Sequence, residues 1–242
     1  MLSEKPWRAE AVIQFCLAQF VCLCLGIATV FVLRKLGIHG FRSDEGLGSI
    51  MVGTLCLQGA AWPLILFFLR QHGVGWGTAF GIRGPRPGLA LLTAVGFFLV
   101  VLPVVLLLQW ASISALEKLG LPSENQAAVE LLTNAHSGWT IVYLGVFAVV
   151  IAPVAEEFIF RGMLFPFLKQ LGKPTLAWFG ASALFALIHL NAPTFVPLFV
   201  FALALTWLYE RTDNLLAPIT AHALFNATNL AMLLWQNKAG QT

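Results

Sequence analysis

The chain has 242 residues, of which 59% are hydrophobic and 10% charged, with a net charge of +3. Soluble domains are about 45–50% apolar and about 25% charged, so this composition excludes a water-soluble domain, and the mean hydropathy of +0.83 agrees. Without a Lys/Arg cluster it also excludes a nucleic-acid partner.

A bilayer core roughly 30 Å thick needs about 20 apolar residues per helix, so seven spans take about 140 residues. That matches the apolar content and predicts an all-α, polytopic transmembrane helix bundle of about seven (seven to eight) spans. The expected location is an integral, multi-pass one, in the cell membrane if the source is bacterial, with membrane lipid as the surrounding partner.

Apolar runs place the spans in order. The first covers 11–33 and ends at Arg34-Lys35; it is too long for a signal-peptide core. The second covers 47–69 and ends at Arg70. A basic, Gly-rich loop follows, then a third span at 88–110 with Pro103 inside it. Residues 111–138 are the longest polar stretch, and 124–135 within it reads as a short amphipathic helix in the interface plane. The fourth span covers 140–171, the fifth 175–190, the sixth 194–209 and the seventh 215–235. This divides one compact membrane domain into N-terminal spans at 1–138 and a core at 139–236.

Cys16, Cys22, Cys24 and Cys56 all lie in apolar runs with no C-x-x-C spacing, and read as buried apolar thiols. Loop charges set the orientation. With the N-terminus inside, Lys5, Arg8, Arg70, Arg83, Arg86, Lys169, Lys173 and Arg211 collect inside. Arg34, Lys35, Arg42, Lys118 and Lys238 collect outside, so the balance favours N-in.

The exceptions to charge in loops are Glu156, Glu157 and Arg161, flanked by apolar residues on both sides. A charge at membrane depth costs on the order of 2.5–3.5 kcal/mol on insertion scales, so such groups mark function by default. A packing ion pair accounts for Glu157 and Arg161, which share a helix face at i, i+4. Glu156, rotated by about 100° from Glu157, has no partner in its own helix. His189 ends the fifth run, and His222 and Asn226 form an i, i+4 polar stripe in the seventh. His39, His72 and His136 lie in or beside loops and read as solvated. Glu156 precedes Gly172 by 16 residues and His189 follows it by 17, so the two lie at similar depth on antiparallel neighbours. Asn191-Ala-Pro193 breaks the fifth helix after His189, and Pro153 disturbs the fourth before Glu156. Broken helices at membrane depth line cavities, which predicts a wet pocket bounded by Glu156, His189, His222 and Asn226.

Such a set suits peptide hydrolysis. A carboxylate in apolar surroundings can serve as general base. His189 can share the activated water or protonate the amine, and His222 and Asn226 can donate to an oxyanion. Glu156, His189 and His222 are equally a three-ligand set for a catalytic Zn2+ with an open water position. No H-E-x-x-H is present, so that set would assemble from three helices, and the residues alone leave both readings open.

The motifs Glu156-Glu157-x-x-x-Arg161, Phe185-x-x-x-His189 and His222-x-x-x-Asn226 occur in that order. In them the chain resembles the CPBP intramembrane protease family, which includes type II CAAX prenyl endopeptidases and bacteriocin-processing or bacteriocin-immunity relatives. The resemblance covers about 140–235. It implies an intramembrane endopeptidase acting on membrane-associated proteins or peptides, lipidated ones included. Glu156 would be the general base, Glu157 and Arg161 would support and position it, His189 would help activate water, and His222 and Asn226 would form the oxyanion site. Phe185 reads at least as well as core packing. No cofactor is expected, because the Glu/His/His/Asn set is complete without one; one Zn2+ is the alternative. The family's breadth leaves two other functions open, a non-catalytic scaffold or immunity-type regulator and a proton-coupled transporter. Missing inverted-repeat symmetry argues against the transporter.

Overall fold

The computed structural model describes residues 2–41, 46–84, 86–123, 126–133 and 137–239. Arg42, His136 and the ends of the predicted 124–135 segment lie outside them. The described residues contain helices and no strand. In chain order, apart from the single turn Trp76–Ala79, they are α1 (Ala9–Lys35), α2 (Leu47–Gln71), α3 (Pro87–Lys118), α4 (Ala127–Thr133), α5 (Gly138–Gln170), α6 (Leu176–Leu187), α7 (Ala192–Thr212) and α8 (Leu216–Ala239).

Every apolar run of the sequence is a helix, and the chain is a multi-pass membrane bundle. Helices α1, α2, α3, α5 and α7 are long and apolar enough to cross a bilayer, whereas α6 is a shorter apolar helix. Helix α8 has 24 residues, but His222, Asn226 and Asn229 dilute its apolar run. One boundary is corrected. Residues 111–118, assigned to the polar stretch, continue α3 to Lys118, because Ala-Ser-Ile-Ser-Ala-Leu-Glu-Lys carries no helix breaker.

Helix α7 sits centrally, packed on α3, α6 and α8. Phe201, Leu205 and Leu208 of α7 meet Ala94 of α3 and Ala217 and Ala221 of α8 in one buried cluster. A second cluster joins Phe15 of α1, Ile65 and Phe68 of α2, and Phe158 and Met163 of α5. Helix α1 approaches α2 closely at Gly26, where a Cβ would lie 2.9 Å from both Cβ and Sγ of Cys56. The α5–α6 turn closes on Gly172, whose φ of 73° is left-handed and suits glycine. All four cysteines are free, but Cys16 and Cys24 face outward from α1 rather than inward, since most of that helix faces lipid.

Two long helices carry π-helical turns, which expose backbone carbonyls. In α5 the Ala152 N–H bonds five residues back, to the Phe147 carbonyl. The next donor in that ladder is Pro153, which has no N–H. Asn226 Nδ2 of α8 supplies it instead, donating to the Ala148 carbonyl at 2.7 Å. Further along α5, Pro166 interrupts the ladder, and Trp7 Nε1 donates to the Gly162 carbonyl at 2.7 Å. In α2, Gln19 Nε2 of α1 donates to the Cys56 and Leu57 carbonyls at 3.1 and 2.8 Å within the π-helical turn Leu55–Gly59. Each break is thus satisfied by another element, as backbone at membrane depth must be.

The N-terminal segment docks on one end of the bundle. Lys5 Nζ pairs with Asp213 Oδ1 at 2.8 Å, and Lys169 pairs with Glu210. Burial alone would raise the Asp213 carboxyl, but hydrogen bonds from Lys5 and Ser3 hold it below the ordinary value. His72 is not simply solvated. Its Nδ1 donates to the Phe68 carbonyl at 2.7 Å and its Nε2 accepts from the Arg8 N–H at 3.0 Å.

Candidate active site

Glu156 and Glu157 follow the π-helical turn of α5 directly, and both are buried, as are Arg161 and His222. A second π-helical turn, Phe158–Leu164, carries Arg161. Bringing four ionisable groups into an apolar bundle requires mutual pairing, and the pairing here is specific. Glu157 Oε1 accepts from Arg161 Nη1 and from His222 Nδ1, each at 2.8 Å. Arg161 Nη2 also donates to the Ala202 carbonyl of α7 at 3.0 Å, and its guanidinium lies 4.7 Å from the Phe185 ring centre. Arg161 therefore ties α5, α6 and α7 together through one side chain.

A carboxylate only accepts, so the ring proton of His222 sits on Nδ1 towards Glu157. Its Nε2 then faces Glu156, 3.9 Å from Oε2. Glu157 and Arg161 thus fix the His222 ring rather than touching Glu156 itself. The logic is that of a base held by a buried carboxylate. The other Glu156 oxygen, Oε1, meets Gln58 Nε2 of α2 at 3.4 Å. One oxygen of Glu156 is capped, and the other faces the imidazole.

Asn226 lies one turn beyond His222 on α8. One amide hydrogen is spent on the Ala148 carbonyl, and the second remains available. His189 follows the end of α6, where its Nδ1 donates to the Phe185 carbonyl at 2.8 Å. Since a carbonyl cannot donate, neutral His189 carries its lone pair on Nε2. The chain then reverses through Leu190, at a φ of 48°, and Asn191, whose Oδ1 accepts from the Thr194 N–H at 3.1 Å to start α7. This is the break expected at Asn191-Ala-Pro193. Phe185 is fully buried between the two histidines, 5.0 Å from the His189 ring and 5.7 Å from that of His222. It packs the site together, the plainer of its two sequence readings.

The structure therefore joins Glu156, Glu157, Arg161 and His222 in direct contact and bonds Asn226 to the α5 backbone beside them. His189 joins through Phe185 and is not a hydrogen-bond partner of either glutamate. Among the described residues no three His, Cys, Asp or Glu side chains converge as a metal ion requires. As arranged, with His189 Nδ1 turned to the Phe185 carbonyl, Glu156, His189 and His222 are not gathered into a metal-ligand set. Sequence reasoning passed over Gln58. Its signal was present: an amide side chain inside an otherwise apolar run.

Residues 138–228 match the family model for type II CAAX prenyl endopeptidase Rce1-like. No curated protein and no solved structure matches the chain. All seven motif residues, from Glu156 to Asn226, lie inside the matched segment. The resemblance carried by the three motifs therefore holds across residues 138–228, the segment similar to that family of integral-membrane proteases.

Proposed function

We propose that this protein is an intramembrane endopeptidase that hydrolyses peptide bonds of membrane-associated proteins or peptides by a glutamate mechanism. The observation that carries the reading is the Glu156–His222 pair, buried and held by Glu157 and Arg161 within the matched segment.

In this reading Glu156 Oε2 removes a proton from water as the water oxygen bonds to the scissile carbonyl carbon. The carbonyl π electrons move to oxygen, and the second amide hydrogen of Asn226 donates to the resulting oxyanion. As the C–N bond breaks, its electrons go to nitrogen, and the proton taken by Glu156 is returned there. His222 Nε2, which carries the ring's lone pair, accepts from the water shared with Glu156 rather than donating to the oxyanion, and Glu157 holds the ring's proton on Nδ1. His189 Nε2, a lone pair beside the same aromatic packing, assists proton transfer. No cofactor is required by these steps, and lipidated substrates suit a site carried on membrane-spanning helices.

The test is terminal-peptide proteomics on membranes containing wild-type protein or Glu156→Gln at matched levels. General-base removal lowers turnover by about 10²–10⁴-fold, so new termini should appear with wild type alone. Equal termini from both would overturn the reading and favour a scaffold. Metal analysis of the pure protein tests the cofactor. Near-stoichiometric zinc, lost in His189→Ala or His222→Ala, would replace the metal-free mechanism.

A further inference from the structure

Gln58 lies outside the matched segment, on a different helix from every motif residue, yet it bonds the carboxylate assigned as base. We propose that Gln58 is a positioning residue for Glu156, and that the π-helical turn of α2, clamped by Gln19, exists to hold it there. This rests on the endopeptidase reading for its consequence, though not for its geometry.

Three observations meet at this point. Gln58 sits inside the π-helical turn Leu55–Gly59, and its Nε2 donates to Glu156 Oε1 at 3.4 Å. That bond is long, as catalytic hydrogen bonds often are before substrate binds. Second, the carbonyls just before Gln58 in this π-helical turn do not rely on α2 alone. Gln19 Nε2 reaches across from α1 to both Cys56 and Leu57, the two residues just before Gln58. An amide spent on two carbonyls of one turn fixes the turn's conformation, and with it the direction of the next side chain. Third, the neighbouring turn of α2 is locked to α5 as well: Thr54, four residues before Gln58, shares a 2.8 Å hydrogen bond with Tyr143. Thr54 and Gln58 thus form one polar stripe that sets the register of α2 on α5.

The consequence is a fixed carboxylate plane. A carboxylate in an apolar bundle can turn about its last side-chain torsion, and intermediate angles aim neither oxygen at His222. With Oε1 held by Gln58, Oε2 is the oxygen that faces Nε2. The Gln58 Oε1 is itself enclosed and, among the described residues, without a partner. Its orientation is therefore set by the Nε2 contact to Glu156, since a flipped amide would put oxygen against oxygen.

The experiment uses the full chain in detergent or liposomes. The probe is an internally quenched, farnesylated peptide with a Cys-aliphatic-aliphatic-X tail. Gln58→Met keeps the length and removes the donor; Gln19→Met frees the π-helical turn without touching the site. Both should lower kcat with KM within about twofold, Gln58→Met by about ten- to a hundredfold, the scale of an ångström's misplacement of a reacting group. The double variant should lose no more than Gln58→Met alone, because both act through one contact. A second readout does not depend on turnover. The infrared difference between each protein and its Glu156→Gln partner isolates the Glu156 carboxyl band. That band should move in Gln58→Met and in Gln19→Met. An unmoved band, or an active enzyme with unchanged kcat in both variants, overturns the proposal. Wild type inactive on every peptide tested counts against the endopeptidase reading instead, and the infrared band still decides Gln58.

Discussion

Helices α1 and α7 are both apolar enough to span a bilayer, but they are used differently. Only 6% of the apolar window of α1 is buried inside the bundle, against 44% for α7. Phe20, Leu25 and Phe31 of α1 face outward, whereas Phe201, Leu205 and Leu208 of α7 are enclosed. Hydropathy does not separate the two, because lipid tails are as apolar as a protein core. Polarity does. Every buried charge of the site lies on or against α5, α7 and α8, where protein replaces lipid and supplies partners. Helix α1 makes its polar contacts to α2 through Gln19 and, near its start, through Gln14, whose Oε1 accepts from Gln71 Nε2 at 3.4 Å.

The sharpest way to break this contrast is to remove a partner on the protein-facing side. Arg161→Ala leaves Glu157 buried with one cation lost and the Ala202 carbonyl without its guanidinium donor. Stranding a buried ion costs about 3–5 kcal/mol. Inserted protein should fall sharply and thermal unfolding should move to much lower temperature. Phe20→Ala, on the outward face of α1, should leave both unchanged. Equal losses from the two would mean that the Glu157–Arg161 pair does not hold the bundle.

Asn226 sharpens the comparison further, since it carries two roles on two amide hydrogens. Asn226→Leu should cost about 1–3 kcal/mol by leaving the Ala148 carbonyl unpaired. It should also lower kcat by about 10²–10³-fold through the lost oxyanion donor. Pro153→Ala restores a backbone N–H in the ladder position that proline leaves empty. Combined with Asn226→Leu it should recover stability, read by thermal unfolding, while activity stays low. Recovery of both would reduce Asn226 to a helix cap.

This double role explains what the sequence could and could not reveal. Positions of helices were legible because each apolar run is bounded by charged or helix-breaking residues, even where, as at 175–190 and 194–209, it is shorter than a full span. The end of α3 was not, because Ala111 to Lys118 is polar yet fully compatible with helix. Glu156, Glu157, Arg161, His222 and Asn226 stood out by being polar in apolar runs, and the structure brings all five together. The partner assignments were not legible. An i, i+4 rule pairs Glu157 with Arg161, but only packing reveals that Glu157 also holds His222 from another helix. Gln58 escaped notice because an amide carries no charge and costs less to bury. His72 escaped because its partners, the Arg8 amide and the Phe68 carbonyl, are backbone atoms that sequence patterns do not index.

Close helix approach gives a smaller effect with opposite signs at two glycines. Gly26→Ala places a Cβ 2.9 Å from Cys56 Cβ and Sγ, at a rigid part of the neighbour. Overpacking of this kind costs about 1–3 kcal/mol. Gly96 of α3 has nothing within 4 Å of the same position, so Gly96→Ala should gain about 0.5–1 kcal/mol from helix propensity alone. Thermal unfolding of the two variants should move in opposite directions. A shift of the same sign in both would remove the α1–α2 contact at Gly26 as a constraint.

The smallest effect is expected at the docked N-terminus. Asp213 is held below the ordinary aspartate value of about 3.9, because hydrogen bonds from Lys5 and Ser3 outweigh the upward push of burial. A carboxyl lowered in the folded state stabilises fully above its unfolded value and loses that contribution as pH falls through the folded one. Docking of residues 3–8 should therefore hold from neutral pH down to the ordinary aspartate value and loosen below it. Trp7 fluorescence reports this directly, since Trp7 Nε1 bonds the Gly162 carbonyl. The pair is partly exposed, with side chains 19% and 34% accessible, so it is worth no more than about 1 kcal/mol. Asp213→Asn should abolish the acid transition by giving the loosened, acid-form Trp7 spectrum already at neutral pH. A transition abolished by His72→Gln and kept in Asp213→Asn would move the latch to the Arg8–His72 bond, where a protonated ring can no longer accept the Arg8 N–H.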